Sequence, residues 1–233
     1  MSELLLYEGK AKQIFRTEHP ELVRVKYKND TTAFNGEKFA QLEGKGALNN
    51  RISSFLFELL AREGVASHFV EQLSETEQLV RQVTIVPLEV VVRNVAAGSL
   101  AKRIGWEEGR VLPEPVVEFY YKDDDLGDPL LAEDHLRLLG LATEEERVEL
   151  RRQGLQVNQI LRPYLEQRGL RLIDFKLEFG KDASGRLLLA DEISPDTCRF
   201  WDMNTAEKLD KDRFRRDLGG VTEAYQRVWE RIQ

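Results

Sequence analysis

LIDFKLEFG, Leu172 to Gly180, places apolar side chains at Ile173, Phe175, Leu177 and Phe179 and charged ones at Asp174, Lys176 and Glu178. Successive side chains of a β-strand point to opposite faces. The pattern predicts a strand with one face in a core and an acid, a base and an acid in a row on the other. KDASG, Lys181 to Gly185, then reads as a turn, and RLLLADE, Arg186 to Glu192, as the returning strand of a hairpin. Glu178 lies just before that turn and Asp191 at the far end of the returning strand, so the two share a face if the register allows.

The same period extends outward. LLLYEGKAKQIF (4–15) and ELVRVKYK (21–28) read as strands, the second with Val23, Val25 and Tyr27 inward. NDTTAFNGEK (29–38) reads as a polar loop. A helix is predicted over 47–63 from Leu48, Ile52, Phe55, Leu56, Leu59 and Leu60, with Gly64 at its C-terminal cap. Residues 67–95 read as further strands, and Pro87 marks a short linker between two strands or two lobes. AAGSLAKRIG suits a short helix, PVVEFYYK a strand and DDDLGDP an acidic loop. A long helical region covers 143–168, with Gly154 and Pro163 both unfavourable inside it. The closing helix spans 211–232, with an apolar stripe of Leu218, Val221, Tyr225, Val228, Trp229 and Ile232. Strands and helices mix without a βαβα rhythm, which predicts an α+β fold.

Composition narrows the function. The chain has 233 residues, 42% hydrophobic and 32% charged, enough for one large domain or two small ones. The net charge of -7, with no basic stripe, argues against a nucleic-acid binder. No apolar run is long enough to span a membrane, and MSELLLYEGKAK lacks a signal-peptide core. The single cysteine, Cys198, excludes an internal disulfide and a cysteine-based metal cluster. A cytoplasmic protein is expected. His19, His68 and His135 show no metal spacing, and no Ser-His-Asp or Cys-His arrangement is visible.

Four constellations carry chemistry. Glu178 and Asp191 are hard oxygen ligands suited to Mg²⁺, with Lys176 beside them for a phosphate or a carboxylate; a solvated hairpin face is the alternative. Lys10 and Lys12, two apart after Gly9, suit nucleotide phosphates or an exposed edge strand, and there is no Walker A motif. In VVRNVAAGSLAKR, Arg93, Ser99 and a helix start could hold an anion, or could simply connect a strand to a helix. DEISPDTCRFWD crowds Asp191, Glu192, Asp196 and Asp202 around Arg199.

GKAK, VVRNVAAGS, DFKLEFG, ADEISPDTCRFWD and DKDRFRRDLGG occur in this order and at these intervals. Together they resemble the bacterial phosphoribosylaminoimidazole-succinocarboxamide synthases, the SAICAR synthetase family, over essentially the whole chain. The resemblance implies a two-lobe fold, with a kinase-like N-terminal ATP-binding lobe (1–86) and a larger ATP-grasp-like lobe (87–233) carrying the metal and substrate sites. It implies a cytosolic ligase of de novo purine synthesis that joins L-aspartate to carboxyaminoimidazole ribonucleotide (CAIR). ATP would be hydrolysed to ADP and phosphate, with Mg²⁺ and an acyl-phosphate intermediate. A homo-oligomer is implied, with a dimer favoured.

Residue by residue, the resemblance assigns Lys10, Ala11, Lys12, Ile14 and Lys122 to the nucleotide. It sets the backbone near Val86 against adenine. Glu178 and Asp191 become the Mg²⁺ ligands. Arg93, Ser99, Asp128, Asp196 and Arg199 fall to CAIR, while Asp174 and Lys176 face its imidazole and carboxylate. Lys211 and Arg215 are left as partners for aspartate. Lys12, Asp174 and Lys176 would carry the reacting groups. A small-molecule kinase and a non-catalytic nucleotide-binding module are the rival readings.

Overall fold

In a computed structural model describing residues 4–33 and 36–233, the opening stretch is the central strand of a sheet. The elements run β1 (Leu5–Glu8), β2 (Lys12–Arg16), β3 (Leu22–Tyr27), β4 (Asp30–Ala33), β5 (Lys38–Gln41), α1 (Lys45–Arg62), β6 (Phe69–Gln72), β7 (Glu77–Arg81) and β8 (Thr84–Val95). There follow α2 (Gly98–Ile104), β9 (Val111–Tyr121), β10 (Leu130–Leu131), α3 (Glu133–Leu139) and α4 (Glu144–Glu166). The chain ends with β11 (Leu170–Lys181), β12 (Leu187–Ala190), β13 (Cys198–Asp202), α5 (Asp212–Arg215) and α6 (Val221–Ile232). One antiparallel sheet has the order β1-β2-β3-β7-β6, and a second the order β10-β9-β8-β11-β12 with β13 also paired to β11. This is the mixed α and β architecture expected.

β11 buries both of its faces. Phe175, Leu177 and Phe179 enter the main core with Val86, Leu88, Val90 and Val92 of β8 and with the apolar faces of α1, α4 and α6. The charged side chains turn the other way, yet Asp174 and Glu178 are only 3% and 4% exposed. The row is therefore the floor of a cleft and not a solvated face. Ile173 departs from the simple alternation. A bulge between Leu172 and Asp174, against β13, shifts the phase. Leu172 thus joins the main core, while Ile173 packs with Val95, Ala97 and Trp201.

Four other expectations change. Residues 29–38 are not all loop: Asp30–Ala33 pairs with Lys38–Gln41 as a two-stranded ribbon, and Phe34 and Asn35 of that stretch lie outside the described residues. Pro87 interrupts nothing. β8 runs through it, because the register against β11 shifts between Glu178 and Gly180 and a missing N–H is tolerated at such a bulge. α4 is continuous from a Thr143–Glu146 capping box through Pro163. The closing helix is instead two: Asp217, Gly219 and Gly220 take positive φ, separating α5 from α6, and Leu218 is exposed.

Gly154 explains why α4 lies so close to the sheet. A Cβ there would come within 3.1 Å of Val92 Cγ2 and 3.3 Å of Val90 Cγ1. Gly154→Leu should therefore force α4 off β8 and cost about 1–3 kcal/mol of stability. Urea unfolding measures this, and a midpoint matching the parent protein would remove Gly154 as the spacer.

Candidate active site

The two sheets enclose a cleft of about 930 Å³. Of the residues that the family resemblance assigns to the site, Val86 alone lies outside it; Asp202, also singled out from the sequence, lies away from the cleft and is held by Arg231 at 2.6 Å. The Val86 side chain is in the main core, and the wall there is made by Arg81, Gln82, Val83 and Ile85. The cause is local: Ile85 and Val86 are neighbours on a strand and face opposite ways.

At one end the β1–β2 turn and the start of β2 deliver the lysine pair. Lys10 holds Asp124 at 2.7 Å. Lys12 binds Asp191 and also reaches Glu192 at 3.0 Å. Ala11 and Ile14 line the same wall. Asp191 stands just past β12 with φ 60, a left-handed conformation that aspartate tolerates. Burial opposes its ionisation, but the ammoniums of Lys12 and Lys176 win and hold its carboxyl well below the usual range. His68 lines this end too; burial lowers its pKa to about 4, so the ring is neutral.

The floor comes from β8 and β11. Their register sets Glu178 opposite Glu89, and Asp174 opposite Arg93. Lys176 Nζ lies 2.5 Å from Glu178, 2.9 Å from Glu89 and 3.9 Å from Asp191. Lys122 adds a second ammonium at 3.0 Å from Glu178. Asp128 also lines the cleft, and its carboxylate accepts from the Asp123 N–H at 3.0 Å.

Two arginines make the other end. Arg93 donates to Asp174 and Glu118 at 2.7 Å each, to the Tyr120 hydroxyl at 2.9 Å and to Ser99 Oγ at 3.2 Å. Arg199 reaches Asp174 and Asp212 at 3.0 Å, and Arg215 meets the other Asp212 oxygen at 2.7 Å. Gly98 makes this possible. It takes φ 51, and a Cβ there would lie 2.5 Å from Arg199 Nη2. Asp196 also lines the cleft, but Lys45 of α1 holds its carboxylate at 2.6 Å and the Tyr225 hydroxyl donates to it at 2.5 Å. Lys211 stands beside this group, anchored by its N–H to the Pro195 carbonyl at 3.0 Å.

Sequence reasoning missed Glu89, Glu118, Tyr120, Lys45, Asp212 and Tyr225. Glu89 and Arg93 are an even number apart in EVVVRN, as are Glu118 and Tyr120 in VVEFYY, so strand period could have found them. Lys45, Asp212 and Tyr225 sit on helices and gave no such signal.

The sequence model described as SAICAR synthetase matches residues 5–232. The chain belongs to the SAICAR synthetase family. The phosphoribosylaminoimidazole-succinocarboxamide synthase of Brevibacillus brevis is 64% identical over 227 residues, 97% of this chain and 95% of that protein. The crystal structure of that synthase from Ehrlichia chaffeensis is 46% identical, with a TM-score of 0.95 over 98% of both chains. A SAICAR synthetase (Type-2) in complex with ADP is 48% identical, with a TM-score of 0.94 over 97% of each chain.

Lys45, fully buried, tests the wiring of this family member's cleft. Lys45→Met should cost about 3–5 kcal/mol near neutral pH, because Asp196 is left buried without its cation. Despite burial, Lys45 and Lys211 hold the Asp196 carboxyl well below the usual range. A depressed carboxylate contributes stability above its unfolded pKa, and that stability is lost as pH falls. The gap between variant and parent should therefore narrow on acidification. Urea melts across the acid range read it, and a gap independent of pH would assign the cost to packing.

Proposed function

We infer that the chain is an ATP-dependent ligase that condenses CAIR with L-aspartate to give SAICAR, ADP and phosphate in de novo purine synthesis. Membership of the family across residues 5–232 carries this reading. In it, residues 1–86 form the nucleotide lobe and 87–233 the lobe for metal and CAIR, and the enzyme works in the cytoplasm as a homodimer. Among the described residues no helix is long and apolar enough to cross a membrane.

The chemistry suits the residues. A carboxylate resists an amine until it is activated, and transfer of the γ-phosphoryl group to CAIR would give an acyl phosphate that aspartate displaces. Catalysis of phosphoryl transfer is mostly positioning and charge neutralisation. Lys10, Lys12 and Lys122 would neutralise the nucleotide phosphates, with Ala11 and Ile14 beside them. Arg93, Ser99 and Arg199 would hold CAIR, chiefly at its ribose phosphate, with Asp128 and Asp196 along the same wall. Asp174 and Lys176 would orient its imidazole and carboxylate. Arg215 and Lys211 are left for the aspartate carboxylates.

Glu178 and Asp191 would hold Mg²⁺. Among the described residues no three His, Cys, Asp or Glu side chains form a metal cage. Two carboxylates facing a phosphate site nevertheless fit this ion, which takes few protein ligands and completes its shell with phosphate oxygens and water. Once bound, it would neutralise charge on the transferring phosphoryl group. The lysines now paired to these carboxylates would turn to the phosphates.

A coupled assay with Mg·ATP and CAIR, with and without L-aspartate, tests the whole. ADP and SAICAR should appear together, and only with aspartate; ADP alone would indicate a kinase or an ATPase. Asp191→Asn should lose most turnover, and a rate within about twofold of the parent would cancel the metal assignment. Arg199→Ala should chiefly raise KM for CAIR, and an unchanged CAIR dependence would take Arg199 out of that subsite.

A further inference from the structure

The ligase reading leaves one proton without a destination. Free aspartate carries its α-amine largely as ammonium near neutral pH. An ammonium has no lone pair, so a base must take a proton before the amine can attack.

Among the described residues five lysines line the cleft. Lys10, Lys12, Lys122 and Lys176 are each held by a carboxylate. Lys211 differs: among the described residues its side-chain nitrogen makes no hydrogen bond or ion pair. The reason is visible beside it. Asp196, the acid that acts most strongly on it, is already engaged by Lys45 and Tyr225. The charged groups facing Lys211 are Asp196 and Glu192 from the loop after β12, Lys45 from α1, and Arg215 one turn along from it. Its backbone is fixed to Pro195, so the side chain extends from a rigid point. Arg199 and Arg215 share Asp212, the next residue, which keeps Lys211 close to the CAIR end of the cleft.

We propose that Lys211, in place of the carboxylate-binding role that the resemblance leaves to it, is the general base whose Nζ accepts a proton from the α-ammonium of aspartate, with Arg215 left for the carboxylates. The proton moves to Nζ and leaves the lone pair on the amine. That pair forms the new N–C bond at the activated carboxyl carbon. The C–O bond to phosphate breaks, its electron pair leaves with phosphate, and the second amine proton departs with it. Lys211 then returns its proton to water. Burial, joined by Arg215 and Lys45, lowers the proton affinity of this amine, and Asp196 and Glu192 oppose them less strongly. A lysine next to other cations and partly out of water is the kind that serves as a base.

The inference rests on the ligase reading, and the experiment separates the two. Rates for the parent protein, Lys211→Arg and Lys211→Met are measured with Mg·ATP, CAIR and aspartate from about pH 6 to about pH 9. Arginine keeps the charge but stays protonated. Lys211→Arg should lose about 100-fold in kcat near neutral pH, with KM for aspartate changed by less than about threefold. Its deficit should shrink with rising pH, by up to about tenfold per unit below the pKa of the aspartate amine and levelling off above it, as aspartate itself supplies free amine. Lys211→Met should show the same pH dependence, and ADP affinity equal to the parent's would show that it is folded. A Lys211→Arg kcat within about threefold of the parent, or a deficit equal at every pH, would overturn the proposal. A parent protein that makes no SAICAR would overturn the ligase reading instead.

Discussion

The ammonium of Lys176 lies between three carboxylates, those of Glu178 beside it on β11, Glu89 across on β8 and Asp191 beyond β12. Glu89 and Glu178 face each other directly in the register of the two strands. Two buried carboxylates at that spacing repel each other and cost solvation, so they need a cation between them. The pairing also locks the register. A slip of one residue would drive these charges into the core and expose Phe175, Leu177 and Phe179. The sheet that builds the cleft floor is thus held by the requirement that its charges be neutralised.

That requirement extends through the cleft. Lys12 holds Asp191, Lys122 holds Glu178, and Arg93 and Arg199 converge on Asp174. In each of these pairs a cation of the cleft is already occupied by an acid. In the ligase reading, binding would therefore be an exchange of partners more than a filling of empty sites. Such an exchange would limit the reorganisation at the moment of reaction, because the charges already stand in the cleft. It also accounts for the scarcity of histidine: His68 is the one histidine lining the cleft, and its ring is neutral.

Legibility from the sequence varied with how local each cause was. The alternation in LIDFKLEFG gave the strand, its hairpin and its charged face. It failed at Ile173, because a bulge against β13 depends on a strand some 25 residues further on. Gly219 and Gly220 broke the closing helix where its stripe of apolar residues suggested continuity. Pro87 pointed to a break that the bulge in its own strand makes unnecessary. The Val86 side chain enters the core while its neighbour Ile85 lines the cleft, because a shift of one residue along a strand inverts the face.

By itself the sequence determined the mixed α and β class, the charged strand and the five ordered motifs that mark the family. All of these rest on local period or on short runs of residues. Which charges meet was decided only by the tertiary structure. Arg93 and Asp174 are 81 residues apart, and Lys12 and Asp191 are 179 apart. A period of two tells which face a side chain takes, but its partner depends on strand order and register, which long-range packing sets. Lys45, silent in an amphipathic helix, became the support of Asp196 for the same reason, and the lack of a partner at Lys211 could be seen only once that support was in place.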